Sequence, residues 1–229
     1  MNAYIIVEGA CTETLVYPRW LGILAPHLTR VDNPLDMTDN NYYLFDGGGI
    51  PSIYRHIANA AEDINTINSE GKIKIDYLIV NIDTEEESRE YILNQIKSVL
   101  VERGVTDLSF SLEIFEQKVS MESWFLGNRR VFKSNPQDPA LLEYIKHYNV
   151  RDYDPELMEN IDEERFSNRA HFHHSYLRKM LQEQNAHYSK SKPEEVCREH
   201  YLARIIERYN NTGHLPTFGR WYEFVRDNF

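Results

Sequence analysis

Two strand-like segments of this chain end in carboxylates. The first apolar run, residues 4–7, leads into Glu8, and a second run, residues 77–82, leads into Asp83 with Glu85 two positions later. Open α/β sheets carry their ligand sites at the carboxyl ends of the strands, so we expect these acids to gather at one sheet edge. Carboxylates there are suited to Mg²⁺ or Mn²⁺. The residue types therefore predict a divalent-metal site.

Helix capping is the simpler alternative for several of these acids. A helix is predicted after each strand, and negative charge in a first turn is favoured by the helix dipole. This alternative covers Glu8 and Glu13, and Thr84-x-x-Glu87 matches a capping box. It does not explain why Asp83 ends the most apolar strand of the chain. We therefore favour metal binding for that acid.

Two further charged residues follow the last predicted strand. Glu122 has apolar neighbours such as Trp124, and an isolated buried carboxylate is costly. We expect Glu122 to be exposed, paired or bound to metal, with helix capping at Ser120 as the alternative. Lys190 lies in a polar loop, where lysines are usually solvated. Near a scissile phosphate, Lys190 would instead stabilise developing negative charge.

Histidines and arginines near the C-terminus are secondary candidates. His171 and His174 share a helix face by their spacing, and we favour a polar helix surface over a transition-metal site or phosphate contact, because no third ligand is evident. Arginines alternate with aromatic residues further on, which suits single-stranded nucleic acid or a partner surface. These residues are Arg204, Arg208, Arg220 and Arg226, with Tyr201, Tyr209, Trp221 and Tyr222.

Composition is that of an ordinary globular chain: 229 residues, 41% apolar and 27% charged. The net charge of −11 argues against loose electrostatic binding to DNA and favours a partner that helps to hold substrate. Cys11 and Cys197 match no zinc pattern, and two isolated thiols fit a reducing cytosol. Since no apolar run approaches bilayer length, we expect a cytoplasmic protein with no membrane association. Gly47–Gly49 lacks the lysine of a P-loop and predicts a flexible turn.

Strands and helices alternate in the first half of the chain, which predicts an α/β fold with a mostly parallel four-stranded sheet flanked by helices. Residues 29–40 are predicted as a loop and 152–164 as a solvated linker or exposed helix. The predicted domains are a catalytic core over 1–126 and a helical C-terminal region over 127–229. The predicted strands are 3–8, 41–46, 75–83 and 109–116. The predicted helices are 12–27, one opening near Pro51, 86–103, 139–148, 168–186, 193–211 and 217–227.

These motifs, in this order, resemble the Toprim domain. The first is Val7-Glu8-Gly9 followed by Thr12-Glu13, and the second is Asp83-Thr84-Glu85. The later segments 122–126 and Tyr188-x-Lys190 are similar to small Toprim nucleases of the OLD and RloB type, which act in bacterial anti-phage defence beside an ABC-type ATPase. The resemblance covers residues 3–126 as a fold and only scattered points beyond.

The resemblance implies roles for particular residues. Glu8 would be a metal ligand or general acid/base, and Asp83 and Glu85 would hold Mg²⁺. Glu122 would be a further ligand or orienting acid, and Lys190 would contact phosphate. The second acid of the pair is usually Asp in this family, so Glu85 is a departure, and Glu86 or Glu87 could take its place.

The sequence thus predicts a Mg²⁺-dependent nuclease that cleaves DNA or RNA, with tRNA among the candidate substrates. It would be an anti-phage effector controlled by an ATPase partner, and we allow for a homodimer. Two alternatives stay open. One is a non-catalytic Toprim module that docks on the ATPase, and the other is an α/β phosphohydrolase acting on a small metabolite.

Overall fold

The computed structural model describes residues 1–85 and 87–229, and the elements named here belong to those ranges. The strands are β1 (Ala3–Val7), β2 (Thr29–Val31), β3 (Asn41–Asp46), β4 (Tyr77–Asp83) and β5 (Ser111–Gln117). The α-helices are α1 (Thr12–Leu24), α2 (Ser52–Glu70), α3 (Arg89–Glu102), α4 (Met121–Phe125), α5 (Pro139–His147), α6 (Arg169–Gln182), α7 (Glu199–Thr212) and α8 (Pro216–Asn228).

The strands form one sheet in the order β2-β3-β1-β4-β5. β1 pairs in parallel with β3 and β4, so that Val7 lies opposite both Asp46 and Asn81. All five residues of β1 are buried, as expected for a central strand covered on both faces. The predicted α/β class with a parallel sheet is confirmed, and the carboxyl ends of β1, β3 and β4 lie at the same edge.

Two local predictions are wrong. Thr29–Val31 was assigned to a loop, but it forms β2, a short edge strand with little buried surface and hence no apolar pattern to reveal it. The capping box at Thr84 and Glu87 does not form. Helix α3 begins later, at Arg89, and Ser88 caps it by accepting the N–H of Tyr91.

The chain forms two compact units. The sheet unit comprises Met1–Ile82, Glu87–Glu116 and Phe224–Phe229, and the helical unit comprises residues 83–85 and Gln117–Glu223. These two units are defined by how the residues pack. The predicted boundary at residue 126 instead separates a catalytic core from a helical region, and it stays a prediction. None of the described helices combines the length and the apolar character needed to cross a bilayer.

The core of the sheet unit lies between the sheet and helices α2 and α3. Val80 of β4 and Ile57 of α2 belong to one buried cluster with Ile96 of α3. The C-terminus packs elsewhere in this unit, where the ring of Phe224 lies 5.1 Å from that of Phe115 and 5.3 Å from that of Tyr77. The last residues of the chain therefore belong to the unit that the first residues form.

The helical unit is built around Trp124, whose side chain is fully buried. Its ring packs against Phe218 and Trp221 at centroid distances of 5.5 and 6.1 Å. The indole Nε1–H donates to Thr217 Oγ1 over 2.8 Å, which satisfies the one polar atom of the ring. Helix α4 is thus anchored to α8 by both apolar and polar contacts.

The acidic segment 152–164 is not wholly solvated as predicted. Pro155–Leu157 is a 3₁₀ turn, and the Glu156 side chain is completely buried. The carboxylate of Glu156 accepts the hydroxyl of Thr217 over 2.6 Å. Burial, opposed by this hydrogen bond, raises the pKa of Glu156 to about 7. The segment is therefore attached to the core of the helical unit through the buried Glu156, although acidic side chains are usually exposed.

We expect Glu156 to make the stability of the protein pH-dependent. Because its pKa is raised, its contribution to the free energy of unfolding is full below pH 4.5 and is lost as the pH rises through about 7. Urea unfolding at pH 5, 6, 7 and 8 should show a fall that Glu156→Gln reduces by roughly 1–3 kcal/mol. The exposed Glu163→Gln variant should keep the wild-type profile. Identical profiles for wild type and Glu156→Gln would contradict the raised pKa.

Candidate active site

In the sheet unit, a glycine turn holds the carboxyl end of β1. The N–H of Gly47 donates to the carbonyl of Val7 over 2.7 Å, and the N–H of Gly49 donates to the carbonyl of Glu8 over 3.0 Å. Gly48 and Gly49 have φ values of +70° and +76°, which glycine adopts without strain. The three glycines therefore form a specific turn beside Glu8.

Glu13 lies in the first turn of α1, where negative charge is favoured by the helix dipole. Its carboxylate accepts the N–H of Gly9, just before α1 begins. Glu8 itself is half-buried and directly follows β1. The two acids of this motif are therefore used differently: Glu13 closes the helix start, and Glu8 is presented at the strand end.

In the helical unit, the residues after β4 continue its pairing. The N–H of Thr84 donates to the carbonyl of Gln117, and the N–H of Glu85 to that of Val119, each over 3.0 Å. Thr84 Oγ1 accepts the N–H of Val119 over 2.9 Å. Asp83 is half-buried, while the side chain of Glu85 is exposed and its backbone is left-handed, with φ +46°. This pairing fixes the Asp-x-Glu segment, and the predicted substitute Glu86 lies outside the described residues.

Glu122 is the most constrained acid of the helical unit. Its side chain is only 3% exposed, and Oε1 accepts two hydrogen bonds, from His174 Nδ1 over 3.1 Å and from the hydroxyl of Tyr188 over 3.0 Å. Burial alone would raise the pKa of Glu122, but the His174 bond and the charge of Lys190 outweigh it and lower the pKa to about 2. Glu122 is therefore ionised at neutral pH.

Lys190 is exposed and lies in the loop that also supplies Tyr188. Glu122 and Lys190 were predicted as separate candidates from the sequence. In the structure, the positive charge of Lys190 interacts with the Glu122 carboxylate and helps to lower its pKa. The Tyr188 ring packs on Phe125 and on His174 at centroid distances of 5.9 and 5.5 Å. Helices α4 and α6 and this loop thus contribute to one polar cluster: Glu122, His174, Tyr188 and Lys190.

The histidine prediction was incomplete. His171 is exposed, as expected for a polar helix surface, but His174 binds Glu122. His173 is fully buried and lies within hydrogen-bond distance of Ser123 Oγ and the Met158 carbonyl, each 2.9 Å away, which fixes its ring as a structural group. Helical spacing shows which histidines share a face, whereas it does not show which buried acid that face meets.

The bond to Glu122 also defines what His174 can do. If Nδ1 carries the hydrogen and donates it to Glu122, then Nε2 is the basic nitrogen of the ring. The side chain of His174 is 21% exposed, so water can reach part of it. An acid that orients an imidazole in this way is a common arrangement for proton transfer. The cluster has the chemistry of a general acid–base site.

The predicted metal ligands are divided between the units, with Glu8 in the sheet unit and Asp83, Glu85 and Glu122 in the helical unit. In residues 1–85 and 87–229, no group of three or more His, Cys, Asp or Glu side chains has an arrangement that would hold a metal ion. Mg²⁺ requires only one or two protein carboxylates, and Asp83 and Glu85 supply that chemistry. Glu122 Oε1 already accepts two hydrogen bonds, which favours an orienting role over a ligand role.

Comparison of the chain with protein-family models, with curated proteins and with solved structures found no match. The resemblance to Toprim nucleases therefore rests on the sequence motifs alone.

We expect the Tyr188 hydroxyl to be needed for the stability of the cluster. Tyr188→Phe removes one of the two hydrogen bonds on Glu122 Oε1 and should lower the free energy of unfolding by about 1–3 kcal/mol, because the acceptor is a buried charge. Tyr153→Phe, at an exposed tyrosine of the same unit, should change it by less than about 0.5 kcal/mol. Urea denaturation at pH 7 measures both, and equal effects would show that the Tyr188 bond contributes nothing.

Proposed function

We propose that the protein is a metal-dependent phosphodiester hydrolase that cleaves nucleic acid. The observation that carries this proposal is the buried, ionised Glu122, which is hydrogen-bonded to the partly exposed His174 and lies under the influence of Lys190. A buried carboxylate with a strongly perturbed pKa and specific partners is characteristic of functional sites. The parallel sheet adds support, because Glu8 follows the carboxyl end of β1, and open α/β sheets carry their ligand sites at the carboxyl ends of the strands.

The cluster supplies two requirements of phosphodiester hydrolysis. Nε2 of His174 takes a proton from the attacking water, while Glu122 holds the ring in the required tautomer and stabilises its protonated form. Lys190 stabilises negative charge on the phosphate oxygens. The proposal assigns Asp83 and Glu85 as the groups that would hold Mg²⁺ or Mn²⁺, with Glu8 as a further ligand or proton-transfer group. A bound ion would add charge stabilisation at phosphate.

The biological setting of the proposal rests on the resemblance to Toprim nucleases. On that basis the protein is a cytoplasmic effector of anti-phage defence, and an ABC-type ATPase controls it. The substrate is DNA or RNA, with tRNA included. The net charge of −11 supports a partner-dependent mode of action, because such a chain binds polyanions weakly outside locally basic sites.

A cleavage assay tests the proposal directly. The purified protein, given Mg²⁺ or Mn²⁺, should cleave at least one of single-stranded DNA, duplex DNA, RNA or tRNA, and EDTA should abolish the cleavage. His174→Gln and Asp83→Asn should each lower the rate by about 10²-fold or more. Asp107→Asn, at an exposed aspartate of the sheet unit, should leave the rate unchanged.

Other outcomes distinguish the alternatives. Full activity of both His174→Gln and Asp83→Asn would refute the assigned site, provided that circular dichroism shows folded variants. Turnover of small phosphorylated compounds without action on polynucleotides would favour a metabolite phosphohydrolase. Tight binding to an ATPase with no hydrolysis of any substrate would favour a docking module.

A further inference from the structure

An arginine-rich cavity lies within the helical unit. Its volume is about 630 Å³, within the usual range for small-molecule sites. The lining is dominated by cationic side chains, five arginines against two carboxylates, in a chain of net charge −11. The lining residues are Arg129, Arg130, Phe132, Arg151, Asp152, Arg204, Glu207, Arg208 and Asn211. Positive charge is therefore concentrated here against the overall balance of the protein.

Arg208 is a fixed positive charge of this cavity. It is 2% exposed, and its guanidinium donates to the carbonyl of Tyr153 over 2.6 Å and to that of Gly127 over 3.3 Å. Burial and the charge of Arg129 lower its pKa to about 10, which still leaves it protonated at neutral pH. The carbonyl of Leu126 and Nδ1 of His214 accept further hydrogen bonds from the same guanidinium. The protein therefore uses the N–H donors of Arg208 itself, and Arg208 contributes positive charge to the cavity rather than hydrogen bonds to a ligand.

Arg129 and Arg130 have no ion-pair partner among residues 1–85 and 87–229. Nε of Arg129 is buried and has no hydrogen-bond partner within the same ranges. A buried donor without an acceptor is costly and needs an explanation. Arg204, in contrast, is paired with Glu207 over 2.6 Å. The charge of Arg130 contributes to lowering the pKa of Glu207, which lines the same cavity, but Glu207 forms its ion pair with Arg204. Positive charge therefore exceeds negative charge among the described residues of the lining.

The chemistry of the lining defines the ligand. Guanidinium groups bind phosphate oxygens with two parallel hydrogen bonds, and several of them together favour a ligand with more than one phosphate oxygen to offer. The half-buried Phe132 adds an aromatic ring to the lining, on which a base can stack. Arginine and aromatic groups in one cavity of this size suit a nucleotide better than inorganic phosphate alone.

We propose that this cavity binds a nucleotide, with its phosphates on Arg129 and Arg130, its base on Phe132, and the buried charge of Arg208 adding electrostatic attraction. The nucleotide is either free in solution or the 5′-phosphorylated end of a nucleic-acid strand, and both offer the same chemistry. Only some of the C-terminal arginines and aromatic residues that the sequence singled out belong to this site. Arg204 and Arg208 line the cavity, whereas Tyr201 and Trp221 are buried in the core. This binding site stands whether or not the protein hydrolyses phosphodiesters.

Isothermal titration calorimetry in EDTA, which excludes metal-dependent cleavage, tests the proposal. The probes are ATP, tripolyphosphate, and one single-stranded oligonucleotide with and without a 5′-phosphate. ATP or the 5′-phosphorylated strand should bind. Arg130→Ala, at an exposed position, should weaken that binding about tenfold, as expected for one lost charge-assisted hydrogen bond. Arg178→Ala removes the same charge from an exposed position of α6 outside the cavity and should leave affinity unchanged.

Two further comparisons separate the parts of the ligand. Phe132→Ala should weaken the binding of ATP and leave that of tripolyphosphate unchanged, since only ATP carries a base. Binding of ATP supports a free nucleotide, and binding of the phosphorylated strand alone supports a strand end. The proposal is overturned if no probe binds the wild-type protein at millimolar concentration, or if Arg178→Ala weakens binding as much as Arg130→Ala does.

Discussion

Burial of charge is the constraint on which the helical unit depends. Glu122, Glu156 and Arg208 are almost entirely removed from water, and each would destabilise the fold if it lacked partners. Each therefore collects hydrogen bonds from segments distant in sequence. Glu122 binds the side chains of His174 and Tyr188, Glu156 accepts from Thr217, and Arg208 donates to backbone carbonyls. These hydrogen bonds therefore constrain how the helices and loops of the helical unit pack against one another.

These buried charges differ in chemical consequence because their partners differ. Glu122 is bonded to an imidazole and influenced by the charge of a lysine, so it stays ionised. Burial raises the pKa of Glu156 towards neutrality, and the neutral hydroxyl of Thr217 opposes this rise only in part. Arg208 is held by neutral carbonyls and keeps its charge. The helical unit consequently carries an ionised acid beside a histidine, together with a cavity whose lining is mainly cationic. Both features suit a protein that handles phosphates.

The sheet unit is organised around a buried apolar strand rather than around buried charges. Its central strand β1 is buried along its whole length, and the candidate residue Glu8 directly follows the carboxyl end of that strand. The backbone N–H groups of the turn Gly47–Gly49 donate to the carbonyls of Val7 and Glu8 at that end, which fixes the position of Glu8. The carboxyl ends of the parallel strands are the usual place for a ligand site in α/β proteins.

The α/β class, the parallel sheet and most helices follow from the amino-acid sequence, because apolar periodicity and turn residues are local properties of the chain. The sequence also identified Glu122 and Lys190 as residues that require explanation. The sequence did not reveal β2, because this strand buries too little apolar surface to show a pattern. It also did not reveal that Phe224, near the end of the chain, packs beside Tyr77. Only the tertiary structure showed that His174 and Tyr188 complete the environment of Glu122 and that dispersed arginines share a cavity. Contacts between residues 52 to 81 positions apart depend on packing, and packing leaves no periodic pattern in the sequence.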